Sequence, residues 1–288
     1  MATLKVIRKR IGSVRNTQQI TKAMKMVSAA KLRRAQEAAV QARPYAEKMT
    51  ELLKNVAARV AKDAHPLLTP REEKKIQLVL FTSDRGLCGG YNTNMIRAAE
   101  AFIRQQTGDR QIELTLVGRK GGDHFRRRGA KIADRYIDIL YKAADELAGE
   151  IAQKLISRFV GGEVDAVYIL YSRFRSALSQ VPTLEKLLPV ALAESNEVQA
   201  QQQTEYLYEP GVEQLLASLL PRITGVAVQR ALLEATASEH GARMTAMESA
   251  TGNASKMIGS LTLQMNRARQ ASITRELLEI VGTAEALK

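Results

Sequence analysis

Three textures of apolar spacing divide the chain. From Leu4 onward, alternate steps of three and four select Leu4, Ile7, Ile11 and Val14, then Gln18, Thr21, Lys25 and Ser28, then Leu32, Ala35, Ala39, Ala42, Ala46, Met49, Leu53, Val56 and Val60. A heptad held for about eight repeats predicts a coiled-coil seam, here polar and then small in its middle. Pro44 lies within it, and the loss of one backbone donor there predicts a kink. Over residues 18–28 a second apolar set, Ile20, Met24 and Val27, falls on the face away from the seam. A helix apolar on two faces wants neighbours on both.

The C-terminal stretch behaves in the same way. Met244, Met247, Thr251, Ala254, Ile258, Leu261, Met265 and Ala268 share one register, after which the apolar positions move to Ile273, Leu277, Ile280, Ala284 and Leu287. With the two helices antiparallel and Val60 opposite about Gly211, Met1 falls opposite about residue 270. The last eighteen or so residues are then left without a partner helix. Gly225, Gly241, Gly252 and Gly259 each weaken this helix by about 1 kcal/mol relative to alanine, so close approach or bending is expected at these points.

Between the helices the period changes. Residues 76–81 form an apolar run that ends in a glycine-rich turn, and a helix is expected over about Tyr91–Gln106. A strand follows over Ile112–Val117, a helix over about Lys142–Phe159 and a strand over Ala166–Tyr171. Alternating buried strands and helices predict an α/β sandwich with a largely parallel sheet. Ser195–Gln203 is polar and reads as a mobile loop, and Tyr206–Pro210 returns the chain to the long helix. The expected fold class is therefore a central Rossmann-like α/β domain, residues 61–210. It is joined to a long antiparallel coiled coil made by an N-terminal helix, 1–60, and a C-terminal helix, 211–288.

Composition sharpens this division. All seven prolines lie between Pro44 and Pro221, and all thirteen aromatic residues between Tyr45 and Tyr208, which leaves both ends to helix formers. The net charge of +13 is equally uneven. Residues 1–43 hold eleven Lys or Arg against one acid, whereas residues 44–242 hold 26 against 25. No apolar run reaches the roughly 18 residues of a membrane span. The first dozen residues lack the apolar core of a signal peptide. Cys88, the single cysteine, allows no internal disulfide and fits a reducing compartment.

Candidate chemistry is sparse. Gly86, Gly89 and Gly90 follow a strand, as phosphate-binding glycines do, but their spacing matches neither common phosphate-loop pattern and no lysine follows. Cys88 has no linked base, because His65, His124 and His240 lie in separate segments. No metal-ligand spacing or carboxylate pair stands out, so neither an enzyme nor a cofactor is expected. The basic first forty residues, including Lys5, Arg8, Arg15, Lys22 and Arg33, fit a nucleic-acid backbone. An acidic protein partner fits them equally well, since no ring is available for base stacking.

Three segments carry a resemblance. IGSVRNTQQITKAMKMV (Ile11–Val27) with KLRRA (Lys31–Ala35), SDRGLCGG (Ser83–Gly90), and ARQASIT (Ala268–Thr274) followed by Glu276-Leu277 and Glu279-Ile280-Val281 resemble, in order, the motifs of the ATP synthase gamma subunit family. The resemblance implies a non-catalytic central rotor shaft of a bacterial F-type ATP synthase, coupling proton-driven rotation of a c-subunit ring to ATP synthesis. It implies one copy per complex inside three alpha and three beta subunits, with an epsilon subunit and the c ring below. It places the chain peripherally, on the cytoplasmic face of the bacterial inner membrane. Carried over by position, Met24, Lys25, Arg269, Gln270 and Thr274 would contact beta subunits. Ile273, Leu277 and Ile280 would sit in the bearing of the ring, and Tyr206, Tyr208 and Glu209 would meet epsilon and the c ring. Photosynthetic members carry an insertion, with a cysteine pair in the chloroplast form. This chain has one cysteine and no room for the insertion, so thiol regulation is not expected. The alternative is a basic coiled-coil nucleic-acid-binding protein.

Overall fold

The computed structural model describes residues 4–57, 65–106, 108, 110–138, 144–191 and 211–286. Two helices dominate it, α1 over Leu4–Ala57 and α5 over Val212–Ala286. Between them run β1 (Lys75–Phe81), α2 (Tyr91–Gln105), β2 (Gln111–Val117), α3 (Arg119–Arg127), β3 (Ile132–Tyr136), α4 (Ala144–Val160), β4 (Ala166–Phe174) and β5 (Gln180–Leu188). The segments expected at Ser195–Gln203 and Tyr206–Pro210 lie outside the described residues.

Residues 29–242 form one compact unit. Its sheet has the order β3-β2-β1-β4-β5, parallel except for β5, which runs antiparallel to β4. β1 is central and buried from Ile76 to Phe81, as expected for a parallel strand covered on both faces. Alternate residues divide the core. Ile76, Leu78 and Leu80 face Met95, Ala99 and Phe102 of α2 and Phe125 of α3. Val79 and Phe81 belong to a second cluster with α4, with Met49, Leu53 and Val56 of α1 and with Leu216, Leu220 and Val228 of α5. The expected fold class thus holds.

Three elements were not expected, and each lacks an apolar run. α3 opens on Gly118 and contains Gly121 and Gly122, residues that disfavour helices. Gly121 is needed because α3 lies against the end of β1, where a Cβ would come 2.9 Å from Thr82 Oγ1, and a Cβ on Gly122 would meet the Arg135 side chain of β3. β3 buries only Tyr136, and β5 contains Pro182, which an edge strand tolerates. Neither α1 at Pro44 nor α5 at Pro221 is broken by its proline.

Between Val228 and Ala242, α5 is largely buried all round, because α1 covers one side and the sheet the other. Gly241 is the close approach expected of its glycines, since a Cβ there would lie 3.1 Å from Phe174 and 3.4 Å from Ala177 Cα. At Gly225, Gly252 and Gly259 the space is open.

Residues 4–28 and 243–286 form the other unit, an antiparallel helix pair. Ile7, Ile11 and Leu261 form its buried cluster, with Val14, Ile258, Met265 and Ala268 against it.

Candidate subunit-contact surfaces

The polar part of the seam is built from side chains that meet across the helix pair. Thr21 Oγ1 and Thr251 Oγ1 are 2.7 Å apart, and Gln18 Nε2 donates to Ser255 Oγ at 2.6 Å. Lys25 Nζ pairs with Glu248 Oε1 at 2.5 Å. These pairs set the register one to two residues from expectation, which would have placed Thr21 opposite Ala250. Polar groups at seam positions cost stability but select one register, because any slip leaves them without partners.

The outer faces are apolar where nothing of the chain covers them. Ile20 is 60% exposed, with Val27, Met26 and Val6 similarly open. Met24 differs from its expected place on the far face: it is half-buried, flanking the seam. Lys25 is also half-buried, because its seam position turns it toward Glu248. On α5, Arg269 and Gln270 are exposed, and Thr274 Oγ1 donates to the Gln270 carbonyl at 3.0 Å. Ile273, Leu277 and Ile280 are all open to solvent, as are Leu278 and Val281. The shift of apolar face after Ala268 thus marks the point where the buried seam ends. Tyr206, Tyr208 and Glu209 lie outside the described residues.

The glycine-rich turn after β1 is a self-satisfied structure. Ser83 N donates to Asn92 Oδ1 at 3.0 Å, Asn92 Nδ2 donates to Cys88 Sγ at 3.1 Å, and Ser83 Oγ donates to the Arg85 carbonyl at 2.6 Å. Cys88 is 2% exposed. The turn sits where connections leave β1 toward β2 on one side and β4 lies on the other. In open α/β sheets this switch point is the usual ligand crevice. Here α5 occupies the neighbourhood: Tyr91 Oη donates to the Ala235 carbonyl at 3.3 Å and Ser238 Oγ to the Ser172 carbonyl at 2.8 Å. Among the described residues, no group of three or more His, Cys, Asp or Glu is placed to hold a metal ion.

Most described carboxylates of the α/β unit sit in ion pairs. Burial pushes the Glu113 carboxyl up, but hydrogen bonds from Lys131 and Arg158 outweigh it and hold it below the usual range. Glu73 is likewise held low, by Lys186 and Tyr168 against the effect of burial. Glu234 goes the other way, raised by burial that the charges of Arg230 and Arg173 only partly offset.

The ATP synthase family model matches residues 3–287. The chain belongs to the ATP synthase gamma chain family. It is 52% identical to the ATP synthase gamma chain of Geobacter metallireducens and 51% identical to that of an Anaeromyxobacter species, each alignment covering the whole of both chains. Among solved structures it is similar to a chain of the Tetrahymena thermophila mitochondrial ATP synthase central stalk and c ring. That match has a TM-score of 0.61 and 28% identity, over 80% of this chain and 99% of that one. A Euglena gracilis mitochondrial ATP synthase chain shares the fold, with a TM-score of 0.68 at 21% identity, over 99% and 94%. A gamma chain is a non-catalytic subunit, in keeping with a switch point taken up by the chain's own helix. The nucleic-acid reading of the basic helix is set aside. No helix among the described residues is long and apolar enough to cross a membrane.

Proposed function

We propose that the chain is the central rotor shaft of a bacterial F-type ATP synthase, peripheral to the cytoplasmic face of the inner membrane, with one copy per complex. The exposed apolar stretch from Ile273 to Val281, beyond the end of the buried seam, carries this reading. A solvated helix end has no use for five large apolar side chains, whereas one turning inside a sleeve of three alpha and three beta subunits does. Ile273, Leu277 and Ile280 form the bearing surface. Met24, Lys25, Arg269, Gln270 and Thr274 meet beta-subunit loops. Lys25 keeps ammonium protons for a second carboxylate beyond Glu248, and Arg269 presents a fully available fork. Tyr206, Tyr208 and Glu209 face the epsilon subunit and the c ring. Functionally the chain divides into helix 1–60, α/β domain 61–210 and helix 211–288.

The shaft works by asymmetry. Proton flow turns the c ring and the chain with it. A helix pair whose two sides differ in charge and apolarity then makes different contacts with three otherwise equal beta subunits. Each contact biases one subunit's conformational equilibrium by its differential binding energy. In a reconstituted complex, Arg269→Ala is expected to reduce ATP-driven proton pumping more than Lys5→Ala, because Arg269 faces a particular loop and Lys5 contributes only to the general charge. Equal losses in the two variants would contradict the assignment.

A further inference from the structure

The near-neutral sum over residues 44–242 hides a second concentration of positive charge. From Tyr91 to Arg135 there are ten Arg or Lys and five Asp or Glu. The topology gathers several of them at one place. α2 and α3 each follow a parallel strand and run back toward the N-terminal ends of the strands. Arg104 in the last turn of α2 and Arg126 and Arg127 in the last turn of α3 therefore reach the same end of the sheet. Arg110 and Lys131, immediately before β2 and β3, belong to that end as well.

The helix ends are tied together. Glu100 of α2 accepts from Arg128 and lies 2.8 Å from His124 Nε2, and Glu113 pairs with Lys131. These two carboxylates occupy Arg128 and Lys131. Arg104, Arg126 and Arg127 are exposed and have no ion-pair partner among the described residues. A single cation at each helix C-terminus answers the helix dipole. Arg126, Arg127 and Arg128 in succession, beside Arg104, go well beyond that need.

The surroundings decide what these guanidinium groups suit. None of the exposed large apolar residues falls between Cys88 and Tyr136. The core of a protein–protein interface needs apolar or aromatic anchors, and this patch has none. Clustered guanidinium without an anchor fits phosphodiester headgroups, each taken bidentately. The direction agrees. α5 passes the C-terminal ends of the strands at Ala235 and Ser238, so its beginning at Val212 lies toward their N-terminal ends, on the side of the arginines.

We propose that Arg104, Arg126 and Arg127 form a contact surface for anionic lipid headgroups of the membrane beside the rotor. The inference rests on the rotor reading, which puts the start of α5 toward the c ring. The test uses the complex of this chain with its alpha, beta and epsilon subunits. Its flotation is compared on vesicles of phosphatidylcholine alone and of phosphatidylcholine with one third phosphatidylglycerol. Binding is expected only to the second, and it should be lost as salt is raised. Arg126→Gln with Arg127→Gln should weaken it by about 25-fold, at about fivefold per arginine. Arg33→Gln with Arg34→Gln, an equal loss of charge on α1, should leave it unchanged. Equal losses in the two double variants, or no loss at 126 and 127, would overturn the proposal. So would unchanged flotation together with loss of epsilon from the complex, since the patch would then be a protein contact. If the chain does not assemble with alpha and beta subunits, the rotor reading fails by itself. The same vesicle comparison on the free chain then still decides the chemistry of the patch.

Discussion

Gly118, between β2 and α3, has φ +99°, and a Cβ there would stand 2.1 Å from the Thr82 carbonyl oxygen. Nothing in a one-dimensional pattern distinguishes it from Gly108 or Gly129, which also have positive φ but open space. Gly118→Ala is expected to cost about 3 kcal/mol, combining a forbidden backbone region with a clash against main chain that cannot move aside. Urea unfolding followed by circular dichroism would measure it, and a change under 1 kcal/mol would show that the turn can rearrange. Titration offers a second expectation at this scale. Burial, with a hydrogen bond to Glu73, pushes the Tyr168 phenol up to about 12; burial does the same for Tyr171. The adjacent Tyr136 and a hydrogen bond to Asp134 hold Lys154 up at about 12. All three folded values are raised, so the native state keeps protons that the unfolded chain releases near pH 10 to 10.5. Their contribution to stability is therefore complete below pH 10 and is lost as pH rises toward 12. Urea midpoints between pH 9 and pH 12 should show this fall, and Tyr168→Phe with Tyr171→Phe should make it shallower.

Among the elements, those with a strong period were legible in advance and those held by a neighbour were not. The heptad from Leu4 to Val56 matches the observed burial position by position, and the end of the register near Ala268 coincides with the end of the buried seam. α3, β3 and β5 left no such mark. Their places are set by the backbone of β1, by the short edge at β2 and by the pairing of β5 with β4, all of which are relations between distant residues. The candidate contact residues came from the family resemblance, and the helix period adds only which face is spare: Ile273, Leu277 and Ile280 are exposed, whereas Lys25 is engaged by Glu248 and Met24 flanks the seam. The arginines at the ends of α2 and α3 were missed because a sum over two hundred residues averages away a local excess. The helix pair of residues 4–28 and 243–286 has a buried cluster of only three residues, Ile7, Ile11 and Leu261. Ile11→Ala should therefore open it locally. Amide hydrogen exchange is expected to rise about tenfold or more along residues 4–18, with β1 unchanged. Faster exchange in β1 as well would mean that the two units unfold together.

For the molecule as a whole, the C-terminal apolar stretch is surface that the chain cannot bury by itself. Deleting Ile273–Lys288 should leave thermal unfolding of the α/β unit within about 2 °C, because no residue of that stretch belongs to the core clusters. The deletion should also lower self-association seen by light scattering, since contiguous exposed apolar surface drives it. In the assembled complex the same deletion should loosen the bearing, and unchanged torque would count against that role. The pairing of Thr21 with Thr251 joins residues 230 positions apart in sequence. Ribosomes add about 5–20 residues per second, so roughly 10–50 s separate the synthesis of the two halves of the seam. For that interval the first part of α1 emerges as an amphipathic helix with no partner, held in waiting until the last sixth of the message is read. A message cut short near its end would therefore leave a folded sheet trailing an unpaired apolar helix, a product suited to chaperone capture and degradation rather than to assembly.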